Sequence, residues 1–247
     1  MSDPIPDIET IRREIDRVDT ALLQLIAERL ELSAQVRRAK AGVRVWRPSR
    51  EDGHVRTLAR AAKQTPTPLV STIWAELMSA SLAAQGPMTL HVALEGDILD
   101  NWSLVRDRFG AALPVVTHPT TSAALAACYA DAEGVAVLPA PAPPPRGMQN
   151  WWTALGPGGA MEGMHILARL PRTGVADWPR AVAVATADLS PSGDDETLIC
   201  TRGGDVVAGG KLRAVSGDFA LYSMPGFVEI TPSVTQRVIG CLPKPLG

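Results

Sequence analysis

A long amphipathic pattern runs through the first forty residues. Between Ile8 and Ala41, apolar residues recur at alternating spacings of three and four, which is typical of a helix that buries a stripe along its length. Arg29 interrupts this stripe at a position where an apolar side chain is expected. Burying a guanidinium costs several kcal/mol unless an anion meets it, so Arg29 indicates either a misplaced charge or an anionic partner. The stripe has two edges: Ile8, Ile15, Leu22 and Val36 on one, and Ile11, Val18, Leu25, Leu32 and Ala39 on the other.

The residues that flank this pattern mark the ends of the helix. Asp7 is a suitable N-cap, and Gly42 follows a basic last turn and is a natural stop. A helix of about 34 residues is ~50 Å long. Because a small compact domain cannot flank such a length, the pattern predicts a second chain lying along it.

Two shorter helices are predicted before residue 87. The second helix begins near Ser49, which forms a capping-box-like pair with Asp52, and runs to about Gln64. The third begins with Thr67 as its cap, has a proline at its first position and reaches Gln85. A Gly-Pro pair follows and ends the helical part.

After residue 87 the pattern changes to short apolar runs separated by amphipathic stretches, which favours α/β layering. The chain is therefore predicted to be multidomain, with a three-helix domain at 1–87 and an α/β or α+β domain at 88–247. A proline-rich segment at 139–147 predicts a rigid loop. The strand candidates are MTLHVAL, LPVVTH, GVAVLP, HILARL, AVAVAT and TLICT, and the helix candidates are 101–109, 120–130 and 148–155.

The composition indicates a soluble globular protein, with 46% apolar and 20% charged residues. A net charge of −2 is too small for a nucleic-acid-binding surface, so no nucleic-acid partner is expected. The widely spaced Cys128, Cys200 and Cys241 favour a reducing compartment over a disulfide framework or a zinc site. Without a signal-like start or an apolar run of about 18 residues, we expect a cytoplasmic location and no membrane partner.

Three cations lie along the stripe of the first helix. Arg29 and Lys40 are almost three whole turns apart, so both face one way, ~16 Å apart along the axis, and can converge on a small dianion. Arg12 is ~25 Å from Arg29 and would have to come from a second chain. On the third helix Ser81 and Gln85 share a face and offer a hydroxyl and an amide. The alternatives are a solvated helix face for the cations and a small packing residue for the serine.

The helical part resembles the all-helical (type II) chorismate mutases across residues 8–85. The resemblance depends on the order IRREID, AER, the basic turn ending in Lys40, RPSRE and SASLAAQ. It implies an intertwined homodimer around the long helix, in which Arg29 and the partner's Arg12 clamp the side-chain carboxylate of chorismate. Ser81 would meet the ring carboxylate, and Lys40 and Gln85 would donate to the ether oxygen whose bond breaks.

The resemblance also assigns three positions on the second helix. Glu51 matches the acidic position whose backbone lies near the ring hydroxyl of the substrate. His54 and Val55 stand where the family often has arginine and glutamate, so they are substrate-contacting positions with different side chains.

The implied activity is the Claisen rearrangement of chorismate to prephenate in aromatic amino-acid biosynthesis. This reaction needs no nucleophile, proton transfer, metal or redox cofactor, so none is expected. Fixed cations and an amide can hold the reactive conformer and stabilise the charge that develops on the ether oxygen.

Residues 88–247 faintly resemble prephenate dehydratase with its regulatory tail. LHVALEGD stands in the place of a first strand, and QRVIGCLPKPLG resembles the closing segment. The catalytic signature of that family is missing, since PAPAPPP replaces its acidic, amide and serine run. The second half is therefore interpreted as a degenerate dehydratase-like domain without that activity.

Two other functions stay open at this point. An isochorismate-pyruvate lyase shares the helical fold and the pocket of the mutases. A protein without catalytic activity, which binds an aromatic amino acid or a partner enzyme, would also retain the helices with a relic pocket.

Overall fold

The structure is a computed structural model that describes residues 7–39, 46–143, 150–161 and 163–247. The chain divides into two compact units, Met1–Val43 and Arg44–Gly247. Residue 87, where a domain boundary is expected, lies inside the second unit, because the second and third helices pack with the sheet. The division into a domain at 1–87 and a domain at 88–247 stays a prediction.

The described residues of the first unit form one helix, α1 (Ile8–Ala39). The predicted cap is confirmed, since the Asp7 carboxylate accepts hydrogen bonds from the backbone N–H groups of Glu9 and Thr10, both at 3.1 Å. Eight apolar side chains of the predicted stripe are 39–61% exposed. The predicted last turn and the Gly42 stop lie outside the described residues.

The second unit begins with α2 (Pro48–Ala61) and α3 (Thr67–Gln85). The predicted capping box of α2 is wrong, because no side chain caps this helix. The Ser49 hydroxyl bonds to the Ser190 hydroxyl, and Asp52 forms buried ion pairs. Both side chains are therefore used in tertiary contacts and not in capping. The end of α3 before Gly86 agrees with the prediction.

A nine-stranded mixed sheet forms the body of the second unit, in the order β2-β1-β3-β5-β4-β9-β6-β8-β7. Strands β1 to β3 pair in parallel, as do β4 and β9, and the remaining pairs are antiparallel. The strands are β1 (Leu90–Val92), β2 (Val115–Thr117), β3 (Val135–Pro139), β4 (Met164–Leu170), β5 (Ala181–Thr186), β6 (Asp195–Arg202), β7 (Lys211–Ser216), β8 (Phe219–Pro225) and β9 (Gln236–Pro243).

In the described part of the chain, two further helices and one 3₁₀ segment lie between the strands. The helices are α4 (Ile98–Phe109) and α5 (Thr121–Ala130), as the amphipathic stretches predict. The helix expected at 148–155 is instead a single 3₁₀ segment, Trp151–Leu155, within the described part of that stretch. Helices together with a mixed sheet agree with the predicted α/β or α+β class.

Helices α2 and α3 are built into the core of the second unit. Leu82 of α3 belongs to the same buried cluster as Phe109 of α4 and Trp46. Val55 of α2 is buried with Val70 of α3 and with Leu246. The helical segment and the sheet therefore share apolar cores.

Candidate active site

Helix α1 carries two of the cations that the sequence singles out. Arg12 is exposed and forms an ion pair with Glu9, with 2.8 Å between Nη1 and Oε1. Arg29 is half-buried, and its backbone carbonyl accepts a hydrogen bond from the Ser33 hydroxyl at 3.0 Å. Lys40 lies outside the described residues. The first unit therefore presents Arg29 on the same side as an exposed apolar stripe.

The last turns of α3 carry the predicted hydroxyl and amide. Ser81 is buried, and its hydroxyl donates to the carbonyl of Leu77 at 2.8 Å. Gln85 is the last residue of the helix and is half-buried. The two side chains are one turn apart on one face, as their spacing predicts.

The two positions of α2 at which the side chains differ from the resemblance, His54 and Val55, differ in exposure. His54 is exposed, whereas Val55 has no exposed surface. Val55 packs in the apolar cluster with Val70 and Leu246. In this arrangement Val55 presents no surface to a ligand, because apolar packing with the end of the second half occupies it.

The acidic start of α2 lies in a buried ion cluster that sequence reasoning missed. The Asp52 carboxylate accepts hydrogen bonds from Nη1 and Nη2 of Arg108, at 2.8 and 3.0 Å, and from Nε of Arg172, at 2.8 Å. Glu51 lies 3.8 Å from Arg108 Nη2 and 4.0 Å from Arg172 Nη2. Arg108 comes from the last turn of α4, and Arg172 follows β4. The only signal in the sequence is the adjacent pair of acids.

The members of this cluster differ in exposure. The side chains of Asp52, Arg108 and Arg172 are 4%, 1% and 2% exposed, and that of Glu51 is 16% exposed. Burial raises the pKa of Glu51, against the opposing charges of the two arginines. Burial also lowers the pKa of Arg172, and the nearby charge of Arg108 adds to this effect. Glu51 is thus the member of the cluster that reaches the surface.

The sheet has polar features of its own, away from these helices. A cavity of about 170 Å³ lies beyond the carboxyl ends of β1 and β3, with Glu95 and Arg180 in its lining. His91 Nδ1 lies 3.0 Å from His118 Nε2, and His91 Nε2 lies 3.4 Å from Asp131. Across the described ranges, no three His, Cys, Asp or Glu side chains are grouped to hold a metal ion.

The described residues of the predicted site divide between the two units. Those in the second unit occupy two neighbouring helices that pack on each other. The first unit holds Arg12 and Arg29, and the second holds Glu51, His54, Val55, Ser81 and Gln85.

A family model described as "Chorismate mutase type II" matches residues 11–86. This range contains every residue of the predicted site, so the predicted resemblance is confirmed for this part of the chain. The match ends at residue 86 and covers less than half of the chain. The dehydratase resemblance of residues 88–247 stays a prediction.

Curated relatives match a shorter stretch. "Intracellular chorismate mutase" of Mycobacterium bovis and of Mycobacterium tuberculosis are each 44% identical over 39 residues. The matched stretch is 16% of this chain and 37% of each relative, so the chain spans little more than a third of their length.

One solved structure shares a weak overall likeness with the chain. It is described as "GqqA- a novel type of quorum quenching acylases", with a TM-score of 0.40 and 12% sequence identity. The likeness covers 64% of this chain and 95% of that one. In the part of the chain that the structure describes, no helix has the length and apolar character needed to cross a bilayer.

Proposed function

We propose that this protein is a chorismate mutase that rearranges chorismate to prephenate at sites built from two copies of the chain. The observation that carries the proposal is the family match over residues 11–86, which includes every residue of the predicted site. The cationic Arg29 within an apolar stripe supports the same conclusion, because such a position calls for an anionic ligand.

The residue types suit this reaction. Chorismate carries two carboxylates, for which Arg29, the partner's Arg12 and Ser81 are the proposed partners. Lys40 and Gln85 are the proposed donors to the ether oxygen, where negative charge develops as the C–O bond lengthens. Each such donor contributes about 3–4 kcal/mol of transition-state stabilisation, by analogy with donors to an oxyanion. The protein acts by holding the reactive conformer and by fixed charge.

The exposed stripe of α1 supports assembly with a second copy. Eight large apolar side chains along one face are 39–61% exposed, whereas monomeric proteins rarely expose contiguous patches beyond a few hundred Å². A second α1 is the proposed occupant, because a two-fold axis lets the same stripe cover itself. The homodimer would deliver Arg12 of one copy to the site of the other.

Chorismate consumption, followed by its absorbance, tests the activity directly. Arg29→Ala should lower kcat/KM at least about a hundredfold, the equivalent of about 3 kcal/mol. The matched control is Arg17→Ala, since Arg17 is an exposed arginine of α1 that pairs with Glu14. Equal rates for wild type and Arg29→Ala would refute the site, and release of pyruvate from isochorismate would identify a lyase instead.

Co-expression of two inactive variants tests the shared site. Arg12→Ala and Arg29→Ala should each be inactive alone. In mixed dimers, one of the two sites would receive an intact Arg12 and an intact Arg29. Random pairing should therefore restore about a quarter of the wild-type activity. Absence of restoration in isolated mixed dimers would refute the sharing of sites.

A further inference from the structure

The ion cluster at the start of α2 joins the helical part to the second half of the chain. Two carboxylates, Glu51 and Asp52, face two guanidinium groups, Arg108 and Arg172, so the formal charges balance. Asp52 uses its oxygens for three short hydrogen bonds. Asp52 therefore fixes the position of both arginines, because a buried charge without an oppositely charged partner is strongly destabilising.

The arginines retain donors that Asp52 does not satisfy. Both Nη atoms of Arg172 and Nε of Arg108 are buried without a hydrogen-bond partner among the described residues. The Glu51 carboxylate is the nearest remaining anion, 3.8 and 4.0 Å from one nitrogen of each. At these distances the two arginines hold it by charge rather than by a hydrogen bond, so its direction depends on where the two cations lie as well as on the side chain of Trp46.

The second half also fixes the position of α2 itself. Arg56 Nη2 donates to the carbonyl of Lys244 at 2.7 Å. A Cβ atom on Gly53 would lie 3.0 Å from the carbonyl oxygen of Ser192, so the helix approaches this loop closely and a side chain there would press on the backbone of the loop. Helix α2 cannot shift without breaking contacts with the second half.

We propose that Arg108 and Arg172 are positioning residues for the mutase reaction, which act by fixing the carboxylate of Glu51 at the first turn of α2. This inference rests on the proposed function and on the resemblance to the chorismate mutases, which places the backbone at Glu51 near the substrate's ring hydroxyl. The second half of the chain then supports the mutase site through two buried cations. If the carboxylate loses its place, the first turn of α2 shifts with it, and the rate falls because small errors in the placement of a contacting group are costly.

The test uses the whole chain and compares Arg108→Met, Arg172→Met and Glu51→Gln for chorismate turnover. Each should lower kcat/KM about 10- to 100-fold at a temperature where circular dichroism shows the protein folded. Arg172→Lys keeps the positive charge, so its kcat/KM should lie between those of Arg172→Met and wild type. This variant replaces the methionine variants in the test if they do not fold. The control is Arg213→Met, because Arg213 is a buried arginine paired with Glu196 away from α2, and kcat/KM should stay at the wild-type value.

A double variant separates positioning from general damage. If Arg172 acts through Glu51, then Glu51→Gln with Arg172→Met should be no slower than Glu51→Gln alone. Fully multiplicative losses would overturn the inference, as would wild-type kcat/KM in both methionine variants while Arg29→Ala is inactive. Wild-type protein that leaves chorismate unchanged would overturn the proposed function and this inference together.

Discussion

Replacing Asp52 by asparagine keeps the shape of the side chain and removes its charge. The carboxylate accepts three hydrogen bonds of 2.8–3.0 Å from two arginines, and its side chain is 4% exposed. Removing one partner of a buried ion pair costs about 3–5 kcal/mol, because the other charge is left without compensation. The amide oxygen of asparagine still accepts one hydrogen bond, so we expect a loss of about 3 kcal/mol in the free energy of unfolding.

Equilibrium unfolding in urea at neutral pH measures this loss. The matched control is Asp218→Asn, which breaks an ion pair of similar length, 2.8 Å, with Arg202 on the surface. Water solvates both partners there, so the control should change the unfolding midpoint only slightly. A loss below about 1 kcal/mol for Asp52→Asn would refute the reasoning, because it would mean that the cluster is solvated like a surface pair.

Three further outcomes can be measured on the same protein. Burial raises the pKa of Glu51, so its contribution to stability is present at low pH and is lost as the pH rises through that pKa. The Tm of wild type minus that of Glu51→Gln should therefore fall as the pH rises above about 4.5, the ordinary pKa of a glutamate, and a constant difference would contradict it. Burial raises the pKa of Cys200 and of Cys241 to about 12. Iodoacetamide at about pH 8 should therefore label neither thiol in the folded protein and both thiols in urea. Labelling of either cysteine in the folded protein, detected by mass spectrometry, would contradict this. Gly110 has φ +63°, and a Cβ there would lie 2.7 Å from a side-chain atom of α3, so Gly110→Ala should cost about 2 kcal/mol in urea unfolding. Gly86→Ala, where a Cβ meets no described atom within 4 Å, should change stability little; equal losses for the two alanine variants would show that strain is not the cause.

The helices and most strands could be predicted because their signals are local. The cap at Asp7, the Gly-Pro pair after α3 and the β-branched runs of β1 to β6 depend on residues close together in the chain. Strands β7 and β8 lack such runs. Strand β7, for example, is an edge strand with the sequence KLRAVS, whose charged residues mask its pairing with β8.

The residues of the candidate site could be predicted only where their types and order match those of the type II chorismate mutases. The partners of Asp52 could not, because an aspartate in the first turn of a helix is equally suited to capping. What distinguishes the two roles is the arrival of Arg108 and Arg172, which are 56 and 120 residues away in the chain. No pattern around Asp52 reports on such distant partners.

These separations have a consequence for the order in which the chain can fold during synthesis. The hydrogen bonds that hold α2 span 56, 120 and 188 residues. Helix α2 therefore leaves the ribosome long before most of the residues that hold it have been made. A nascent chain that stops near residue 87 contains the sequences of α1, α2 and α3 but can form none of these bonds. The final packing of α2 is thus acquired late, by closure of long loops, and belongs only to chains that extend through residue 244.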